Sequence, residues 1–332
     1  MKKIFFFIGY IFACCCVHAQ YAPQVGLAGS TGIIGSSSQF VGWATHCTVQ
    51  RGYLDIANPS LGYASLGDSS LALGPADVNV VSLGDSGVAV LTFLHPIVDE
   101  PGPDFAVFEN GFLNTANDSE AFLELAFVEV SSDGVNYFRF PAASLTQTNV
   151  QIGNDQYINA CGLNNLAGKY IAMYGTPFDL QELSGTPGLD INNVTHVRIV
   201  DVVGSIGAHA SHDNTGRIIN DPYPTPFPSC GFDLDAVGVI HQSGTGVQQL
   251  TENIAVNVYP NPAIDKIVVS VKNNLHENMT VSLTNITGNV LQQCPLSQAT
   301  NVISIEQYPA GLYYLVLRDA NGTKWVEKVI KR

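Results

Sequence analysis

The chain is 332 residues long, only 13% of them charged, and 28 acidic against 14 basic side chains leave a formal charge of −14. A field of that sign repels nucleic acid and anionic membrane surfaces, and nucleic acid is not expected as a partner. The charge is uneven: Tyr21 to Leu250 holds five basic and 22 acidic residues, Thr251 to Arg332 seven and six.

Lys2 and Lys3 precede an almost wholly apolar run, Ile4 to Val17, and Val17-His18-Ala19 supplies a cleavage site, so residues 1–19 are expected to be a signal peptide. The run is about 14 residues, short of the roughly 20 that span a bilayer, and no later stretch reaches that length. The alternative is a lipoprotein, because Ile11-Phe12-Ala13-Cys14 weakly resembles a lipobox. Export leaves Cys47, Cys161, Cys230 and Cys294, which allow two bridges in any of three connectivities.

Short β-branched and aromatic runs then recur between Gly, Pro, Asn, Asp and Ser clusters: Gly87 to Phe93, Asp104 to Phe108, Phe122 to Val130, Tyr137 to Phe140, Val194 to Val203 and Phe232 to His241. They have the length and composition of strands, while helical periodicity is confined to one turn over Asp179 to Leu183. With 31 glycines, this predicts an all-β jelly roll or β-sandwich over residues 20–242. Residues 243–251 are small and polar and read as a linker. The predicted strands resume at Ile267 to Val271, Thr280 to Asn285, Asn289 to Gln293, Val302 to Ile305, Gly311 to Arg318 and Lys324 to Ile330, with Asn321-Gly322 as a hairpin turn. That is a second, compact antiparallel sandwich over residues 252–332.

Two fragments of the main domain imitate a serine protease: His46 in WATHCTV and Ser86 in GDSG. They lie 40 residues apart, too close for the two barrels across which that triad is assembled, so the reading is rejected. His209, His212 and Asp213 in AHASHD suggest a zinc or iron site, but no further ligand appears at a recognisable spacing. The tract NDPYPTPFPSCGFD predicts a stiff exposed loop, with Tyr223 and Phe227 as flat apolar faces for a ligand. The acids are more informative. Asp233 and Asp235 fall two apart on a terminal strand, hence on one face, where two carboxylates repel unless exposed or neutralised by a cation. DEPGPDFAVFEN adds Asp99, Glu100, Asp104, Glu109 and Asn110 around a turn, and calcium accepts such a mixture of carboxylate and carbonyl oxygens. For carboxylate catalysis, Glu124 and Glu129 lie five apart and face opposite sides of a strand, while Asp233 and Asp235 suit a cation better.

Three ordered motifs and the basic terminus, VNVYPNPAIDKIVVSV (256–271), TNITGNVLQQ (284–293) and YPAGLYYLVLRDANGTKWVEKVIKR (308–332), resemble the type A C-terminal sorting domain of type IX secretion. The resemblance implies an immunoglobulin-like sandwich, contact with the secretion machinery, and delivery outside the cell or to its outer surface. In the main domain, AFVEVSSDGVNYFRFP, VTHVRIVDVVG and FDLDAVGVI resemble galactose-binding-like, discoidin-type jelly rolls, and DFAVFENGF is similar to uncharacterised bacterial surface proteins. The jelly-roll resemblance implies a structural calcium held by Asp235, with Asp55 as its partner from the first strand. The resulting expectation is a calcium-stabilised, non-catalytic binding protein for a glycan or other nutrient. A carboxylate-dependent hydrolase and an adhesive coat component are the alternatives.

Overall fold

The computed structural model describes residues 21–243, 255–272, 279–296, 298, 300–318 and 324–332. The expected signal peptide, most of the linker and the Asn321-Gly322 turn lie outside these. The chain divides into two compact units between Ser243 and Gly244.

The first unit is a β-sandwich. One antiparallel sheet runs in the order Ile33–Ile34, Tyr174–Phe178, Phe105–Phe108, Ala236–Val239, Gly42–Trp43; the other runs Phe138–Arg139, Ala126–Ser131, Val194–Asp201, Val88–Ile97, His46–Gln50. Their facing side chains make one core: Leu91, Val128, Val130, Val197 and Ile199 from the second sheet meet Phe105, Val107, Phe178, Val237 and Val239 from the first. Alternation explains this directly, since every second residue of a strand faces the same side. Val194–Asp201 breaks phase once, with both Val194 and Val197 buried, and there a β-bulge shifts its register against Val88–Ile97.

Ala126–Ser131 is buried on both faces, because a further layer covers its outer side. That layer is a small sheet of Phe112–Asn114, Asn117–Phe122 and Ile158–Asn159 over a core of Leu123, Leu125, Phe127, Leu163 and Leu166. The predicted strand Phe122 to Val130 is therefore two strands, separated by Leu123-Glu124-Leu125. The single helical turn forms as a 3-10 turn at Leu180–Leu183, capped by the Asp179 side chain on Gln181 N–H. Cys47, Cys161, Cys230 and Cys294 are all free thiols.

The second unit packs a three-stranded sheet (Ala255–Tyr259, Lys266–Lys272, Thr300–Ser304) with a four-stranded one (Val290–Pro295, Thr280–Thr284, Gly311–Arg318, Lys324–Lys331). Tyr313, Leu315 and Leu317 alternate into its core against Ile267, Val269, Val281 and Ile303. Among the described residues no helix is long and apolar enough to cross a membrane.

Candidate functional site

Ten acidic residues of the first unit are buried: Asp85, Asp104, Glu109, Glu124, Glu129, Asp201, Asp213, Asp221, Asp233 and Asp235. A buried carboxylate needs hydrogen bonds or a counter-charge. Most of these acids find theirs in backbone N–H groups that the loops leave unpaired. Asp235 accepts from Asp77 and Val78, Asp201 from Ser86 and Phe232, Asp221 from Leu125, and Asp85 from Ile56. Asp213 accepts from Ser144, Thr215 and Arg217, and Asp104 from Glu100 and Leu180 and from the His241 ring at 2.8 Å. Glu129 instead binds two arginines, Arg139 and Arg198.

The five carboxylates expected to share calcium are consequently distributed over three places. Glu109, Asp233 and Asp235 lie near one another, each raising the proton affinity of Glu109, although Asp235 is already engaged by backbone N–H groups. Asp104 sits at the opposite end of Phe105–Phe108 from Glu109, five residues or about 16 Å along the strand. Asp55 accepts the Tyr223 hydroxyl at 2.7 Å, which ties that tyrosine down rather than leaving it as a platform. Of the five, only Asp104 belongs to a group with chelating geometry: Asp99, Asp104 and Asp179 each offer an oxygen within 4.8 Å of the others. Asp99 Oδ1 is buried there without a hydrogen-bond partner. His209 and His212 are exposed and join no such group among the described residues.

One buried acid departs from the pattern. Glu124 is only 6% exposed, yet its carboxyl has no hydrogen-bond partner among the described residues and no cation beside it. Its orientation follows from its neighbours: Leu123 and Leu125 are both buried in the covering layer's core, so the residue between them is turned the other way. It faces a cavity of about 460 Å³ that is also lined by Asp233, Asn110, Thr225, Phe112, Phe122 and Phe227. Phe112 and Phe122 are opposed in register on adjacent strands and stack at 5.1 Å, while Phe227 comes from the proline-rich loop and stays 49% exposed. Asp233, opposite Ser82 on a short strand pair, accepts from Ser82 Oγ and from Asn110 Nδ2 at 3.0 Å, and so uses side-chain donors only. Behind it lies Glu109, 1% exposed, with Oε2 bound to Gly111 N–H at 2.8 Å and Oε1 unpartnered.

The electrostatics follow from burial. Desolvation, then the charges of Asp233, Glu109, Asp221 and Asp201, raise Glu124 well above the ordinary glutamate value. Desolvation raises Asp233 to about 6 against the pull of Ser82, Asn110 and Arg51. Among the described residues no basic side chain lines the cavity. Arg51, the cation near Asp233, is committed to the carbonyls of Leu66, Gly67 and Ser82. A larger cleft of about 860 Å³ between Leu145–Ile152 and Asp155–Gly162 has Asp155 as its one acid and no comparable convergence of charge.

Of the residues singled out in the sequence, Asn110, Phe227 and Asp233 thus come together in one cavity. Glu124 was visible only as a partner for Glu129, which the arginines neutralise; Phe112 and Phe122 were missed. The available signal was a glutamate between two leucines in the otherwise apolar AFLELAF.

Residues 257–332 match the family described as the secretion system C-terminal sorting domain. The chain therefore carries a type IX sorting domain, which marks it for export to the cell surface or exterior and for contact with that machinery. No curated protein matches the chain. Among solved structures it is similar at 12% identity to the b-glucuronidase from Ruminococcus gnavus in complex with D-glucaro 1,5-lactone (TM-score 0.19, covering 87% of this chain and 46% of that one). The same enzyme in complex with N1-substituted uronic isofagomine gives a TM-score of 0.20, covering 87% and 47%. The chain spans about half the length of that enzyme, and likeness at this level carries no argument about activity.

Proposed function

We propose that the exported chain is a surface binding protein that holds a small glycan or similar nutrient in the phenylalanine-walled cavity beside Glu124 and Asp233. The observation that carries this is Glu124 itself. Its carboxyl has no protein partner among the described residues and lines the cavity, so it is free to engage a ligand that enters there. The flat faces of Phe112, Phe122 and Phe227, with polar groups from Asn110 and Thr225, suit a ligand with both apolar faces and hydroxyls.

Calcium belongs in this reading at the other end of the Phe105–Phe108 strand. Asp99, Asp104 and Asp179 would hold it, where the orphaned Asp99 Oδ1 fits a hard cation. A second reading, hydrolysis, is favoured by Glu124 and Asp233 facing one cavity, a pair of carboxyls being the usual equipment for cleaving a glycosidic bond. A glycan array followed by calorimetry on the purified chain tests the main reading. A retained glycan that binds about tenfold more weakly to Phe227→Ala, a loss of about 1.4 kcal/mol, is the expected result. No ligand, or binding indifferent to both Phe227→Ala and Glu124→Gln, refutes it; consumption of the bound glycan replaces it with hydrolysis.

A further inference from the structure

We infer that the ligand of this cavity carries a primary ammonium group, seated between the Glu124 and Asp233 carboxylates against the phenylalanine faces; this rests on the cavity being the ligand site. A neutral sugar needs donors and acceptors in balance. Here the deep groups are acids, Glu124 and Asp233 with Glu109 behind them, and among the described residues no cation lines the cavity wall. Asp235, Asp201, Asp221 and Glu129 are satisfied by backbone N–H groups or by arginines, which Glu124 is not. An ammonium group supplies three donors and a positive charge, and its attraction to aromatic faces uses the phenylalanines that a metal ion would leave idle. The same chemistry is offered by an amino sugar or by a small aliphatic amine.

The groups that face Glu124 from the packed elements are Asp233, Glu109, Asp221 and Asp201, all acidic, while Asp233 also feels Arg51. Without ligand Glu124 keeps its proton well above the ordinary glutamate range, while Asp233 keeps its own only below about 6. Binding of an ammonium ionises Glu124, whose proton passes to buffer. Affinity must therefore fall as pH drops through about 6, where Asp233 regains its proton.

The test is titration calorimetry of the purified chain with glucosamine and with cadaverine, against glucose and 1,5-pentanediol, in two buffers of different ionisation enthalpy. Either amine should bind at least about tenfold more tightly than its neutral counterpart, as one charge-assisted contact of about 1.4 kcal/mol requires. Proton release should accompany binding, and Glu124→Gln should abolish both the preference and the release. Glucosamine responding alone assigns the amine to a sugar, and cadaverine alone assigns it to an aliphatic scaffold; both support the inference. Glucose bound as well as glucosamine, with no proton released, overturns the inference while leaving the cavity a ligand site. A response to calcium alone that Glu124→Gln removes also overturns it, in favour of a metal. If no probe binds and the glycan array is blank, the underlying reading falls as well. Should Glu124→Gln fail to fold, Asp233→Asn carries the same comparison.

Discussion

Replacing Glu124 by glutamine should stabilise the ligand-free protein, by an amount that grows with pH. In the unfolded chain the carboxyl ionises near 4.5, whereas in the folded protein burial, followed by the charges of Asp233 and Glu109, keeps the proton on to a much higher pH. The folded form is thus favoured by this group at low pH, and that advantage is lost as pH rises towards the folded value, at about 1.4 kcal/mol for each pH unit over which the two states differ by one proton. Glutamine does not titrate, keeps the shape, and takes the same place between Leu123 and Leu125. The other buried acids are common to both proteins and cancel to first order. Near pH 4.5 the two should melt together, and each further unit should open a gap of about 3–6 °C in favour of the variant, at about 2–4 °C per kcal/mol for a unit of this size. Melting followed by Trp43 fluorescence in a Trp325→Phe background, at four values between pH 4.5 and 7.5, reads this from the sandwich that contains the site. A gap that stays constant, or a variant less stable at pH 7.5, would show that Glu124 is ionised and held by a protein cation, and the account of the cavity would fail.

Gly168→Ala should strain the backbone at Glu124, because Gly168 has φ +79° and an added Cβ would clash with the Glu124 backbone carbonyl oxygen; a loss of more than about 2 kcal/mol in urea unfolding is expected. Phe105→Ala removes the ring that packs 5.4 Å from Phe178 and 5.9 Å from Phe140 in the sandwich core, and should cost about 3–5 kcal/mol in the same assay, at every pH. Calcium should raise the melting temperature relative to chelator, and Asp99→Asn, but not Asp235→Asn, should erase the difference; equal melting with and without chelator removes calcium from the proposal.

Much of the fold was legible because strand periodicity is local. Phe105–Phe108, Val194–Asp201 and Gly311–Arg318 lie within runs that the alternation and composition mark as strands, and Val88–Ile97 runs four residues past the end of its own. The Asp179 cap and its one helical turn were equally readable, since the cap and the N–H it serves are two residues apart. Phe122 to Val130 read as one strand because its composition is continuous; the break at Leu123-Glu124-Leu125 is imposed by a covering layer drawn from Phe112–Asn114 and Ile158–Asn159.

The acidic cluster shows where local reading ends. Counting carboxylates against five basic side chains suggested that a metal must balance them, because backbone N–H groups do not show in a sequence as partners. Yet those groups, brought from up to 158 residues away in the case of Asp235, do the balancing for most of the acids. By itself the sequence determined the export address, the all-β class and the acidity of the main domain, all of which are sums or patterns over neighbouring residues. Which acids are satisfied and which one is left facing a cavity was decided only by tertiary structure, because a hydrogen-bond partner is a matter of distance in space, and Glu124, Asp233 and Phe227 come from three segments far apart in the chain that meet only in the folded unit.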